Sequence, residues 1–598
     1  MENSQKPDFM FEVSWETINK VGGINTVIVS KAREMVKRYG ANYFLLGPYF
    51  KEKTIGQFEE LAPPEYFASI FEKLKDKGIH AYFGKWLIEG EPFAILFDFD
   101  SLKPYTDSIK KELWDIYQVD SLGASLDFND PVVWGFSVGK FIEELSLSMP
   151  EKKIIAHFHE WLSGSALLYL KTKNVNAATV FTTHATVLGR SLASRNFDLY
   201  SNLETIDADK EARISFVQHK HMVEKRAAQN ADAFTTVSQI TAMEAEHFLG
   251  RKPDVILPNG LDIEKFPTIE EITVKHSIQR DRIRKFLIYY FFPHYSFNLS
   301  QSLIYFIVAR NEFHNKGVDV YIKALAKLND KMKKENAKKT VISFLWVPMA
   351  TKGINERLIR FREVFHDIEN TFEEVKDEVE DAIFYSLISQ KGMQVEDLFD
   401  SSFLRNINNQ INTLKSRSDD LPLLCTHELV DQNNEILKAL RDNGLTNKEE
   451  DKVKVILYPI YLTGADGLLD LDYYESIQGS HLGVFPSFYE PWGYTPLESA
   501  ALGVSSLTTD LSGFGRYFKD ESAGKDYPGA FIVDRFQKND DEVINELVDV
   551  MHRYAGFSHR ERVQNKISAY NLAAKADWSI FIQNYFEAHQ LAMQKKFQ

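Results

Sequence analysis

A single cysteine, Cys425, stands in 598 residues. One thiol cannot close an intrachain disulfide, so the fold rests on buried area and hydrogen bonding, and the usage suits a reducing compartment. Long apolar runs are missing too. The richest, FLIYYFFPHYSF from Phe286, stops well short of the roughly 18–20 residues that a bilayer-spanning helix needs. The N-terminal MENSQKPDFMFEV has neither the basic start nor the apolar core of a secretion signal. Together these absences predict a cytoplasmic protein without a membrane partner. Positive charge is also short, with 70 Lys and Arg against 85 Asp and Glu and a net charge of −15. Such a balance supplies no field for nucleic acid. No Ser/Pro-rich stretch follows the last helical pattern, so no phosphorylation switch is expected there. No Cys or third spaced His accompanies His157 and His159 to make a zinc set.

What is present is 44% apolar residues, enough for more than one large core. FMFEVSW, a loop with Gly22-Gly23, a helix to about Arg38 and NYFLLGP read as a βαβ unit, with Gly40 as the helix stop. KIIAHFHEW, ATVFTTHA, DAFTTVSQ and DVILPNG continue the alternation. A second array opens with SLIYFIVAR and the helix VDVYIKALAKLNDKMKK, then TVISFLWVP, and resumes with VKVILYPI, LGVFPSF and VSSLTTD. The fold class is therefore α/β, with two Rossmann-like halves assigned to residues 1–285 and 286–557. Residues 355–451, charged and nearly free of proline and glycine, read as a helical insert in the second half. Residues 558–598 read as a long helical tail.

Candidate chemistry gathers where strands end. Gly22-Gly23 opens a helix, where backbone N–H groups can face an anionic phosphate beside Lys20, although such a turn calls for glycine on geometric grounds alone. Arg310 and Lys316 follow a strand of the second half, at the edge where open sheets bind ligands. Two cations there suit a departing diphosphate, whose charge grows in the transition state; pairing of Arg310 with Glu312 is the plainer alternative. In PSFYEPWGYTPLESAALG, Glu490 sits in the loop after a strand and Glu498 on the next helix. One carboxylate can hold sugar hydroxyls and the other a ribose, while the amides of Trp492 to Tyr494 face phosphate. His157 and His159, and His184 with Arg190 beyond it, also end strands. Asp98-Phe99-Asp100 and Asp470-Leu471-Asp472 look like metal-holding pairs, but Lys20, Arg310 and Lys316 offer neutralisation without a metal, so none is expected.

In chain order, FEVSWETINKVGGINTV, HFHEWLSGSALL, ATVFTTHATVLGRSL, EKRAAQNADAFTTVSQITAMEAEHFLGRKPDVILPNGL, YFIVARNEFHNKGVDV, DKVKVILYP and HLGVFPSFYEPWGYTPLESAALGVSSLTTDLSGFGRYF resemble the animal and fungal type of glycogen synthase, and a microbial member fits. The resemblance implies a GT-B fold, two Rossmann-like domains facing a cleft with the C-terminal helix crossing back to the first. It implies retaining transfer of glucose from UDP-glucose onto glycogen or another α-glucan, without a cofactor. By the same resemblance Lys20, Gly22, Gly23, Arg310 and Lys316 hold the UDP phosphates, and His184 and Arg190 face the donor. Glu490, Trp492 and Gly493, with Tyr494 and Thr495 beside them, hold the glucose and phosphate. Glu498 takes the ribose, Tyr461 and Tyr473 bracket the uracil, and His159 stands near the reacting centre. A glucose 6-phosphate site is implied at His276, Arg280, His481, Arg562 and Lys566. Glu270 and Thr273 depart from the pattern there, as do His559, Ser568 and Asn571 where arginines are usual. Asn25 replaces the usual tyrosine after KVGGI. The helical insert matches the segment that assembles the family's tetramers, so a homotetramer is implied. The competing readings are a related enzyme using ADP-glucose or a small acceptor, a phosphorylase, for which no pyridoxal phosphate lysine is signalled, and an inactive glucan-binding scaffold.

Overall fold

The computed structural model describes residues 6–390, 394–415 and 420–598. Its first sheet has nine strands, in spatial order Phe58–Glu60, His80–Trp86, Phe93–Asp98, Tyr43–Pro48, Phe9–Val13, Ile154–His159, Ala177–Thr183, Ala233–Thr236 and Val255–Ile256. All are parallel except at His80–Trp86, which runs antiparallel to both neighbours. The second sheet is wholly parallel, in the order Val453–Tyr458, Thr340–Trp346, Ser302–Val308, Leu482–Phe485, Ser505–Thr509 and Ala530–Val533. Counted along the chain, that is the 3-2-1-4-5-6 order of a dinucleotide-type domain. The strands expected from β-branched runs are found, and Phe9–Val13 and Ile154–His159 are buried at every residue. Helices covering both faces require such runs.

Period-two alternation divides the first sheet's faces. Phe9, Phe11 and Val13 enter one core with Phe44 and Ile95. Met10 enters the other with Leu45, Ile155, Val180 and residues of the C-terminal helix, Trp578, Phe581 and Tyr585. The sheet's second face is thus completed by the last segment of the chain. Trp578 donates from Nε1 to Ser30 Oγ at 2.8 Å, and its ring lies so close to Gly260 that an added Cβ would approach it to 2.9 Å.

Three expected boundaries shift. The helix Ile269–Phe291 runs unbroken through position 285, and its Ile283, Phe286, Leu287 and Phe291 belong to the core of the second domain. The first domain therefore ends before it, near Pro267. The helical insert consists of Glu356–Glu373, which is anchored in the core by Leu358, Phe361 and Phe365, and of Lys376–Ile388, Val395–Leu398 and Ser401–Lys415. Beyond it the chain rejoins the domain: His427–Leu429 pairs with Thr351–Ile354, and Glu435–Asp442 buries Ile436 and Leu440. Apolar residues at 436, 437 and 440 give that helix a core stripe which its charged surroundings mask in sequence. The tail is split as well. Ser558 and Asp577 cap new helices, His559–Ala574 stays on the second domain through Asn565 contacts to Ser505 and Gly529, and Trp578–Phe597 alone crosses back.

Trp578→Ala removes a ring that is 2% exposed and is expected to cost about 3–5 kcal/mol of unfolding free energy in urea titrations. A loss below about 1 kcal/mol would detach the last helix from the stability of the first domain.

Candidate functional site

A cavity of about 960 Å³ opens between the carboxyl ends of the two sheets. In each sheet the strand order reverses at that edge, beside Phe9–Val13 and Ile154–His159 in one and Ser302–Val308 and Leu482–Phe485 in the other. Lys20, Gly22, Gly23, His184, Arg190, Arg310, Lys316, Glu490, Trp492, Gly493, Tyr494 and Thr495 all line it. Residues far apart in sequence converge here because both domains turn their switch points toward one space.

The acids lining the cavity, Glu16, Glu160, Glu312 and Glu490, each have protein partners. Lys316 Nζ donates to Glu490 Oε2 at 2.5 Å, and Arg310 pairs with Glu312 at 2.9 Å. The plainer reading of Arg310 is thus fulfilled, while its place on the cavity wall is kept. Glu16 Oε2 accepts from the N–H groups of Gly22 and Asn25 at 2.8 and 2.9 Å, and Asn25 Nδ2 donates to the Glu16 carbonyl at 2.9 Å. The Gly22 amide and the Asn25 amide in the first helical turn are therefore occupied from within the chain, which at Gly22 corrects the expectation of bare backbone donors. The helix start has orphan N–H groups to satisfy, and a neighbouring carboxylate does it. The residue replacing the usual tyrosine is part of this brace.

Glu160 is a cavity-lining residue that the reading of HFHEW passed over in favour of its histidines. It begins the helix after Ile154–His159 with φ at +63°, a conformation uncommon for a side chain of this size. Its Oε1 accepts from the His184 and Ala185 amides at 2.9 and 3.1 Å, fixing the loop that leads to Arg190. Burial pushes its carboxyl up to about 7, against the pull of Arg190 and these amides. Glu244 was also missed. It accepts from Thr186 Oγ1 and Tyr200 OH, both at 2.7 Å, and from Tyr489 OH at 3.2 Å. The last of these reaches across the cleft to the residue before Glu490. Burial raises this carboxyl to about 7 as well. Neither acid could be found from sequence, since each is a lone Glu whose partners lie in other elements.

Four expected residues do not line the cavity. His159 lies beneath it, 1% exposed, with Nδ1 at 2.9 Å from His184 Nε2 and Nε2 at 2.7 Å from Glu12 Oε1. Glu498, within Tyr494–Ala501, has both oxygens engaged by tyrosines, Tyr473 OH at 2.6 Å and Tyr474 OH at 3.2 Å. Tyr473 thus faces Glu498, and Tyr461 is exposed. Glu12, His157 and His159 lie close enough together to share a cation, but Lys31, Tyr43, Thr182, His184 and His589 already engage their polar atoms. Asp98 and Asp472 act as a turn acceptor and a helix cap.

A second cavity, about 240 Å³, is lined by Arg280, Arg284, Lys339, His481 and Arg562. Arg284 and Lys339 were not anticipated. His276 and Lys566 lie behind it: His276 meets His481 edge to face at 5.2 Å, and Lys566 is driven down to about 7 by burial and then by Arg280 and Arg562. Glu270 and Thr273 do not line this cavity. They sit on the first turns of Ile269–Phe291, about 15 Å along the axis from Arg280 in the case of Glu270.

A sequence profile of the glycogen synthase family matches residues 12–598. Glycogen [starch] synthase isoform 1 of Saccharomyces cerevisiae is 38% identical over 98% of this chain and 86% of its own length. The liver glycogen [starch] synthase of Mus musculus is 36% identical over 98% and 84%. Among solved structures, the catalytic domain of starch synthase IV from Arabidopsis thaliana, bound to ADP and acarbose, aligns with a TM-score of 0.50 at 13% identity, covering 98% of this chain and 100% of that one. That likeness speaks for the fold, GT-B.

With pyrophosphate as a bare probe in calorimetry, Lys316→Ala is expected to weaken binding by about tenfold or more, the worth of one charge-assisted hydrogen bond. Unchanged binding would remove Lys316 from the anion site.

Proposed function

The chain belongs to the glycogen synthase family, and on that premise we propose that it transfers glucose from UDP-glucose to the non-reducing end of an α-1,4-glucan with retention of configuration. The observation that carries this is the cavity itself, where Arg310 and Lys316 of one sheet oppose Lys20 and the glycine turn of the other. A sugar nucleotide has its anionic group in the middle, and such a space takes the diphosphate at its centre with the sugar toward His184 and Arg190. As the glycosidic phosphate bond breaks, charge moves onto the diphosphate, where fixed cations stabilise the transition state more than the ground state. Lys316 must then exchange its bond to Glu490 for one to phosphate, which frees the Glu490 carboxylate for sugar hydroxyls.

The lining acids favour a front-face displacement. Glu16 and Glu160 are held by backbone N–H groups and Glu312 by Arg310, while Glu490, once released by Lys316, is taken up by sugar hydroxyls; a carboxylate so engaged is a poor covalent nucleophile. The acceptor hydroxyl then attacks from the side the diphosphate leaves, and the departing phosphate oxygen takes its proton. Neutralisation by Lys20, Arg310 and Lys316 makes a metal unnecessary in this scheme.

The second cavity suits glucose 6-phosphate as an activator, since its cations gather without a lining carboxylate. The exposed Phe384, Tyr385, Leu387 and Ile388 on the helix Lys376–Ile388 suit burial against further copies, in keeping with a homotetramer. No helix among the described residues is long and apolar enough to cross a membrane, and a cytoplasmic site is part of the proposal.

The test is incorporation of labelled glucose into glycogen from UDP-glucose and, in parallel, ADP-glucose, with and without glucose 6-phosphate. Incorporation from UDP-glucose is expected, with Glu490→Gln slower by roughly two to three orders of magnitude, and with the response to glucose 6-phosphate lost in the Arg280→Ala, Arg562→Ala double variant. Preference for ADP-glucose would reassign the donor, and no transfer from either would favour the scaffold reading.

A further inference from the structure

Beneath the cavity, alternation along three parallel strands places Glu12, His157, His159 and Thr182 on one face of the first sheet, with His184 just past the last strand. Lys31 enters this layer from the helix Gly23–Tyr39 and pairs with Glu12, both side chains fully buried. We propose that the Lys31–Glu12 pair sets the tautomer of His184, presenting its Nδ1 to the cavity as a bare lone pair that accepts a hydrogen bond from a hydroxyl of the sugar being transferred. The identity of that sugar rests on the transferase reading above; the tautomer does not.

The polarity of the chain follows from one fixed charge. Burial works against an ionised Glu12, but the adjacent Lys31 and the bond from His159 outweigh it and hold the carboxyl well below its ordinary range. An ionised carboxylate only accepts, so His159 Nε2, at 2.7 Å, carries the proton. Burial keeps the His159 ring neutral, which leaves its Nδ1 bare. His184 Nε2, 2.9 Å from that nitrogen, must therefore carry a proton. Burial, and then the neighbouring His159 and Lys31, keep His184 neutral too, so its Nδ1 has none. That nitrogen meets no hydrogen-bond donor among the described residues, and His184 lines the cavity. A bare lone pair repels phosphate oxygens and welcomes a hydroxyl. Arg310 and Lys316, two cations suited to phosphate, stand on the opposite sheet. Lys31 and Glu12 are thus positioning residues, and His184 is the group that touches substrate.

The direct readout is nitrogen-15 NMR of the full chain labelled at histidine, with His184→Gln used to assign one ring among the 16 histidines. His184 is expected to show a protonated Nε2 and an unprotonated Nδ1. In Lys31→Met the buried Glu12 loses its ammonium partner and takes up a proton. It then donates to His159 Nε2, and the relay reverses to protonate His184 Nδ1. A protonated Nδ1 in the wild type, or no reversal in a folded Lys31→Met, would overturn the proposal. The second readout is independent of that variant's folding. Among donors each lacking one sugar hydroxyl, one should lose about three- to tenfold in kcat/KM with the wild type and nothing further with His184→Phe. Equal losses in both enzymes for every such donor would remove the hydroxyl contact. If the wild type used no sugar nucleotide at all, the transferase reading would fail while the tautomer assignment stood on the spectrum alone.

Discussion

The chain passes between its domains twice, and the two passages lie against each other. Leu261 N–H donates to the Ala576 carbonyl at 3.0 Å, Trp578 N–H donates to the Leu261 carbonyl at 2.9 Å, and Asp577 Oδ2 accepts from Ile263 N–H at 3.1 Å. Paired crossings of this kind leave the domains one shared line about which to rotate, rather than two independent linkers. Both sheets must then keep their switch-point edges turned toward the same space. On the far side of the cleft, the Tyr489–Glu244 bond and the close approach of Ser238 to Gly513 hold the two faces together. Because Tyr489 precedes Glu490 and Glu244 also grips Thr186, one carboxylate ties the placement of Glu490 to that of the helix carrying Arg190.

Within that frame the two domains contribute unlike chemistry. The second sheet supplies Arg310 and Lys316 on the loops after its central strand, already balanced by Glu312 and Glu490. The first supplies a layer of buried polar groups in which one ion pair orients a series of neutral rings. Burying an ion pair is costly and only good geometry and further hydrogen bonds offset it; Tyr43, His159 and the Tyr585 ring, 4.5 Å from Lys31 Nζ, provide them. A pair kept at such cost beside a reaction cleft fits a role in directing hydrogen bonds better than a role in stability.

Most of the architecture was legible because it is local. Phe9–Val13 is apolar but for Glu12 and Ser302–Val308 but for its first residue, and Gly40 marks a helix end with a positive φ. The cavity-lining Lys20, Arg310, Lys316 and Glu490 were legible because strand-end loops are where open sheets bind ligands. What escaped was set by tertiary partners. A boundary at 285 cuts a helix because nothing in IYYFF distinguishes a core face of one domain from that of the other. His159 looked like a cleft residue, yet alternation alone cannot say which of two strand-end histidines is covered by the other. Glu498 seemed free for a ribose because Tyr473 and Tyr474 approach it from a separate helix, and Glu16 gave no sign that it would fold back over its own glycine turn.

A single sugar-nucleotide site formed by the two switch points is tested most directly by a crystal structure of the full chain with UDP bound. The diphosphate is expected between the Gly22-Gly23 turn and the side chains of Arg310 and Lys316, with Lys316 moved off Glu490. A diphosphate bound elsewhere, or held by one domain with the Lys316–Glu490 pair intact, would contradict it.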